Sequence, residues 1–237
     1  MKIGFISLPV FGHLIPMSAL ARELRSRHHD VVFISLSATG GFVTQVAELP
    51  FVACCEKELP PEAMKEIVCE MSLRQGREAL EFTFRAIALM TDLLFDYLPG
   101  ILKKEGIDAL VLDTYHFYME LVPIKLGMPF AHVSNAAHFD YSGNTPLCIY
   151  DWPHESTPEA LARNRKGIAD LMKILRRINS KAMEYAKHAG IELSQDTYTT
   201  ISKLVFRKWL SRLHTISPGL PQESPIRKRG YLCHSGM

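Results

Sequence analysis

Two residues combine a chemically useful side chain with a position where such a side chain could act: His13 and Asp113. His13 follows a short apolar run, Lys2 to Leu8, and a loop from Pro9 to His13 that carries Gly12. A histidine side chain can take up a proton near neutral pH, so at the rim of a cleft it is a candidate general base. In the same place it can equally be a surface residue that only closes a turn. Gly12 has no Cβ and lets a substrate or another backbone approach closely. Asp113 ends the apolar run Ile107 to Asp113. Alone, such an aspartate often caps the helix that follows. If its strand neighbours that of His13, its carboxylate can instead accept a hydrogen bond from the imidazole, fix the tautomer and balance the charge that forms on proton uptake.

Positioning these groups requires a sheet. Lys2 to Leu8, Val31 to Leu36, Phe51 to Cys54, Ile107 to Asp113 and Phe130 to Ser134 read as strands. They are continuous apolar runs rather than alternating ones, which predicts a parallel sheet covered on both faces. Between them lie amphipathic helical patterns. The first has Pro16 as its first-turn proline, with Met17, Leu20, Ala21 and Leu24 on one face. Phe42 to Leu49 is a short helix candidate, Pro60 to about Lys104 a long one broken near Gly76, and Tyr118 to Leu126 another, closed by Gly127. Strand, helix, strand over some 35 residues is a βαβ unit, so the fold class is α/β and Rossmann-like. In such sheets ligands bind beyond the C-terminal strand ends, where His13 and Asp113 both fall. Residues 135–157 form an aromatic loop region, Pro158 to Ala189 a long helix, 196–206 a weaker one, and the chain from Leu213 is rich in proline.

Composition excludes several classes. The 237 residues are 47% hydrophobic and 22% charged, enough apolar material for a sizeable core. A net charge of +2 does not point to nucleic acid, which calls for clustered Lys and Arg. The five cysteines are odd in number and show no CxxC spacing, so neither a disulfide framework nor a zinc site follows, and a reducing cytoplasm fits. No uncharged apolar run reaches the roughly 20 residues of a membrane span. Thr39-Gly40-Gly41 lacks the spacing of a dinucleotide fingerprint. His132, inside an apolar strand, reads as a core residue. Phe82, Phe84, Tyr115, Phe117 and Phe139 either line an apolar pocket or pack in the core.

The element Gly12-His13-Leu14-Ile15-Pro16, with Leu20-Ala-Arg-Glu-Leu, Val31-Val-Phe-Ile, Ile107-Asp-Ala-Leu-Val-Leu-Asp, Lys125-Leu-Gly-Met-Pro-Phe and Val133-Ser-Asn-Ala, resembles family 1 UDP-sugar glycosyltransferases over roughly residues 1–204. The resemblance implies a GT-B fold of two Rossmann-like domains, of which residues 1–204 are the N-terminal, acceptor-binding one. It implies inverting transfer of a sugar to a small, apolar, hydroxylated acceptor, with His13 as base and Asp113 as its partner. Phe11, Gly12, Phe82, Tyr115, Phe117 and Asn135 would then line the acceptor site. It implies a UDP-sugar co-substrate, no metal and no other cofactor. The donor-binding signature of the second domain has no counterpart, and residues 205–237 do not match the family; a truncated gene or a changed reading frame would each explain this. The chain alone is then expected to be weak or inactive, with an exposed inter-domain face able to drive a homodimer. The alternatives are a non-catalytic binding module, a subunit that pairs with a separate donor-binding chain, and a sugar-nucleotide epimerase of the same architecture.

Overall fold

Five apolar segments become strands, and all of them pair in parallel: β1 (Lys2–Ile6), β2 (Asp30–Leu36), β3 (Phe51–Cys54), β4 (Ala109–Asp113) and β5 (Phe130–Val133), in the order β3-β2-β1-β4-β5. The computed structural model describes residues 1–137 and 139–191. The expected helix at 196–206 and the unmatched tail lie outside the described residues. Parallel pairing follows from the connections, because each crossover carries helix or turn long enough to return the chain to the same sheet edge. Alternate residues of β1 serve opposite faces. Ile3 and Phe5 join Val31, Phe33 and Val111 under Leu14, Met17 and Ala21 of α1 (Phe11–Ser26). Ile6 and Ile34 meet Met90 and Leu94 of the long helix described next. The sheet is thus Rossmann-like, with helices on both faces.

The helices obey their local signals. Pro60 and Pro61 open α2 (Pro61–Ser72), and the chain breaks before α3 (Gly76–Glu105), where Gly76 takes a φ of +53°. Gly106, at φ +63°, ends α3, with the Ile107 N–H returning to the Leu102 carbonyl at 3.0 Å. This left-handed termination is the one that glycine makes cheaply. α4 (Leu121–Leu126) ends the same way at Gly127. α5 (Pro158–His188) starts at Thr157, whose hydroxyl accepts the Ala160 N–H at 3.2 Å.

Two expectations need correcting. The region Pro9 to His13 is not all loop: α1 begins at Phe11, so Gly12 and His13 lie in its first turn and Pro16 is its sixth residue. A proline there leaves the Gly12 carbonyl without its helical partner. Both Gly12 and Pro16 face outward, so that carbonyl can turn to water. The second is His132. It is exposed on β5, the sheet's last strand, with its ring 3.8 Å from the Glu120 carboxylate. The apolar run predicted cover on both sides, but Ala131 and His132 are exposed.

The described residues of 135–157 hold no strand or helix but are fastened to α5. The rings of Tyr150 and Trp152 stack 4.0 Å apart at 2°, Arg163 lies over Trp152, and Gly167 sits against both rings. A Cβ on Gly167 would lie 2.7 Å from Tyr150 and 2.9 Å from Trp152. Gly167→Ala gains about 1 kcal/mol of helix propensity but overpacks two stiff rings, a cost of about 1–3 kcal/mol. We expect a net loss of about 1 kcal/mol in urea denaturation and a weakened near-ultraviolet circular dichroism band. An unchanged midpoint and band would disprove this clamp.

Candidate active site

The neighbouring strands β1 and β4 bring the two candidate residues together. Their register pairs Ile6 with Leu112, so the next residues, Ser7 and Asp113, emerge side by side at the C-terminal edge of the sheet. The chain then turns through Pro9 into α1, whose first turn carries His13 back over the end of β4. His13 Nδ1 lies 2.6 Å from Asp113 Oδ2. The Asp113 side chain is fully buried and that of His13 is 14% exposed.

Asp113 is surrounded by donors. Its Oδ1 accepts the Tyr115 N–H at 3.0 Å. Its Oδ2 accepts the Leu8 N–H at 3.4 Å and has the Ser7 hydroxyl at 3.5 Å. Burial works to raise the carboxyl's pKa, but the hydrogen bonds from His13 and the Tyr115 N–H prevail and hold it below the usual carboxylate range. An ionised Asp113 accepts a hydrogen bond from the His13 Nδ1–H, which leaves the lone pair on Nε2. A base oriented in this way, with a carboxylate ready to balance imidazolium charge, can deprotonate a hydroxyl. The aspartate does not cap a helix, since a turn follows it and α4 starts only at Leu121.

The aromatics divide. Tyr115 meets His13 edge-on at 5.3 Å, and its hydroxyl donates to the Ala137 carbonyl at 2.8 Å. Phe117 and Phe139 lie 6.0 and 5.7 Å from Tyr115, and Phe84 lies beyond them. Phe82 is engaged elsewhere, under the Arg74 guanidinium at 4.3 Å. Phe11 is exposed and packs edge-on against Phe42, and Gly12 faces open space. Asn135 has a buried Nδ2 with no hydrogen-bond partner among the described residues. Two buried groups escaped the sequence reading: His116, three residues past Asp113, and Glu120, whose carboxyl burial pushes up to about 7. Among the described residues no cluster of three or more His, Cys, Asp or Glu could hold a metal ion, and no helix is long and apolar enough to cross a membrane.

No family model matches the chain. It is 26% identical over 161 residues to a zeaxanthin glucosyltransferase from Pseudescherichia vulneris, covering 68% of this chain and 37% of that protein. Among solved structures, it overlaps the glycosyltransferase SsfS6 of Streptomyces sp. SF2575 with a TM-score of 0.45, at 22% identity, over 76% of this chain and 46% of that one. It overlaps the glycosyltransferase SnogD of Streptomyces nogalater with a TM-score of 0.48, at 16% identity, over 78% and 41%. The chain spans less than half the length of each. In sequence the chain thus resembles part of a glycosyltransferase, in line with the resemblance carried by the Gly12 to Pro16 element.

Proposed function

We propose that this chain is the acceptor-binding half of an inverting, UDP-sugar-dependent glycosyltransferase that works on a small apolar alcohol or phenol in the cytoplasm. The observation that carries the reading is the 2.6 Å contact between His13 Nδ1 and the buried Asp113, at the sheet edge where ligands bind. His13 Nε2 removes the acceptor's hydroxyl proton as that oxygen attacks the anomeric carbon. The new C–O bond forms on the face opposite the departing phosphate oxygen, UDP leaves with the electron pair, and Asp113 balances the imidazolium. No metal or other cofactor enters this reading. Tyr115, Phe117 and Phe139 favour an apolar acceptor because they form an aromatic wall beside His13. The donor is held by a second domain. Phe11 and Ile15, large apolar side chains exposed on α1 two residues either side of His13, support a face that meets another body, either that domain or a second copy.

Holding two reactants in register contributes on the order of 7–11 kcal/mol, so without the donor domain we expect negligible transfer. The test incubates the purified chain with UDP-glucose and a panel of phenolic, terpenoid and macrolide alcohols, and reads glycoside by mass. Acceptor binding without turnover, with turnover restored when a donor domain is added and then lowered about 10²–10⁴-fold by His13→Ala, is the expected result. Turnover by the chain alone within about a hundredfold of an intact relative would overturn the division of labour, roughly 3 kcal/mol being too little for a missing donor site. Restored turnover that ignores His13→Ala would overturn the base.

A further inference from the structure

Tyr115 touches both members of the pair, with two different parts of itself. Its backbone N–H donates at 3.0 Å to Asp113 Oδ1, the carboxylate oxygen that His13 does not use. Its ring meets the His13 imidazole edge-on, with centroids 5.3 Å apart and planes at 73°. That is one of the arrangements that ring quadrupoles favour. The far end of the Tyr115 ring is tied as well, because its hydroxyl donates to the Ala137 carbonyl at 2.8 Å. Phe117 and Phe139 lie 6.0 and 5.7 Å from the same ring. The ring is therefore held by its own backbone, by a hydroxyl bond and by two aromatic neighbours.

The bond to Asp113 does not by itself orient the imidazole. It fixes one atom, Nδ1, and leaves the ring able to swing about the line to Oδ2. The outer side-chain torsion of histidine joins a tetrahedral carbon to a planar one, so it is broad and sets no sharp ring plane. A general base needs that plane fixed, because the Nε2 lone pair lies in it and must point at the hydroxyl to be deprotonated. A second contact on the imidazole supplies the missing constraint, and the Tyr115 ring makes one. The hydroxyl bond is the lesser restraint. It ends on Ala137, which is exposed, so water competes for both partners, whereas the two phenylalanines stay in place without it.

We infer that Tyr115 is a positioning residue for His13, its ring fixing the plane of the imidazole that Asp113 holds at Nδ1. This rests on the dyad reading above, and the experiment separates the two. The chain, labelled with ¹⁵N-histidine, is examined by NMR for the His13 Nδ1 proton, which in a short bond to a carboxylate resonates well downfield of the amides. No acceptor is added, so a residue that only lines the acceptor site would leave this signal unmoved. In the native chain we expect the resonance. Tyr115→Leu keeps the backbone N–H to Asp113 but removes the ring. Exchange of the Nδ1 proton with water should then quicken roughly tenfold, as the loss of an aromatic pair implies. Tyr115→Phe keeps the ring and loses only the hydroxyl. Its exchange should stay within about threefold of native, since a hydrogen bond open to water contributes little. A folded Tyr115→Leu with native exchange, or exchange quickened alike in both variants, overturns the inference. Should Tyr115→Leu not fold, the native chain decides: cross-relaxation between the ring protons of His13 and Tyr115 is expected, and its absence overturns it. Absence of the downfield resonance from the native chain removes the dyad itself, and this inference with it.

Discussion

Asp113→Asn is expected to lower turnover of the transferase, assembled with its donor domain, on the order of 10⁴-fold, while Asp113→Ala is expected to damage the fold. The asparagine fits the space, and its carbonyl oxygen can keep the Tyr115 N–H that Oδ1 now accepts at 3.0 Å. Its amide N–H₂ then faces His13, the Leu8 N–H and the Ser7 hydroxyl, all grouped around Oδ2. A donor in that place turns Nδ1 into the acceptor and moves the ring proton to Nε2, where the base should be. Wrong-tautomer variants of a His-Asp pair lose about 10⁴-fold for this reason. Alanine offers no acceptor, and several donors are stranded at a fully buried site. Each costs about 1–3 kcal/mol, and breaking a buried charged pair costs about 3–5 kcal/mol in all. Urea midpoints read the second effect, and glycoside formation in the reconstituted enzyme reads the first. Asparagine turnover within tenfold of the parent would remove the tautomer argument. The pH dependence has a definite sign: because the Asp113 carboxyl sits below its usual range, its stabilising contribution is present above the ordinary aspartate pKa and is lost as pH falls through the depressed one. Asp113→Asn should lack that acid loss.

The dyad was legible because it depends on strand ends. Ile107 to Asp113 and Lys2 to Leu8 are apolar runs whose last residues must emerge at the sheet edge, and pairing of β1 with β4 places those ends side by side. Side-chain direction within helices and turns was less legible. Phe82 and Phe84 are both aromatic, but residues two apart on a helix point about 200° from one another, so only one can join the ring cluster near Tyr115. The start of α1 was misplaced because Pro16 favours a first turn, and only the outward aspect of Gly12 makes an interior proline tolerable. His132 and His116 show the remaining gap. The histidine within an apolar strand is exposed because its strand is the last of the described sheet, and the one in a polar-looking turn is buried because that turn folds back against the end of β1. Neither follows from residue type or spacing, since both depend on tertiary cover.

Glu120→Gln should stabilise the chain above neutral pH and do little below pH 5. Glu120 is buried at the start of α4, and burial raises its carboxyl to about 7 from an ordinary 4.5, against the opposing pull of its own backbone N–H. A raised acid binds its proton more tightly in the folded state. Its contribution is therefore complete below about pH 4.5, shrinks as pH rises, and is lost through about pH 7. A gap of this size corresponds to about 3 kcal/mol between the two ends of the window. Glutamine stays neutral throughout, so the difference between variant and parent isolates this group. That matters because His116 works in the opposite direction: its depressed pKa makes the fold lose stability as pH falls below the ordinary histidine range. The His132 ring, 3.8 Å away, has its pKa held below the ordinary value by desolvation, so it is neutral at pH 8 and returns none of the loss. Urea denaturation at pH 5 and pH 8 decides the matter. A midpoint shift equal at both pH values would mean that the substitution changes packing or hydrogen bonding and that Glu120 is not held neutral by burial. A shift confined to the higher pH is the expected pattern. It would establish at the start of α4 a buried carboxyl that gains its charge near neutrality, so the fold should loosen as pH rises from about 5 to 8.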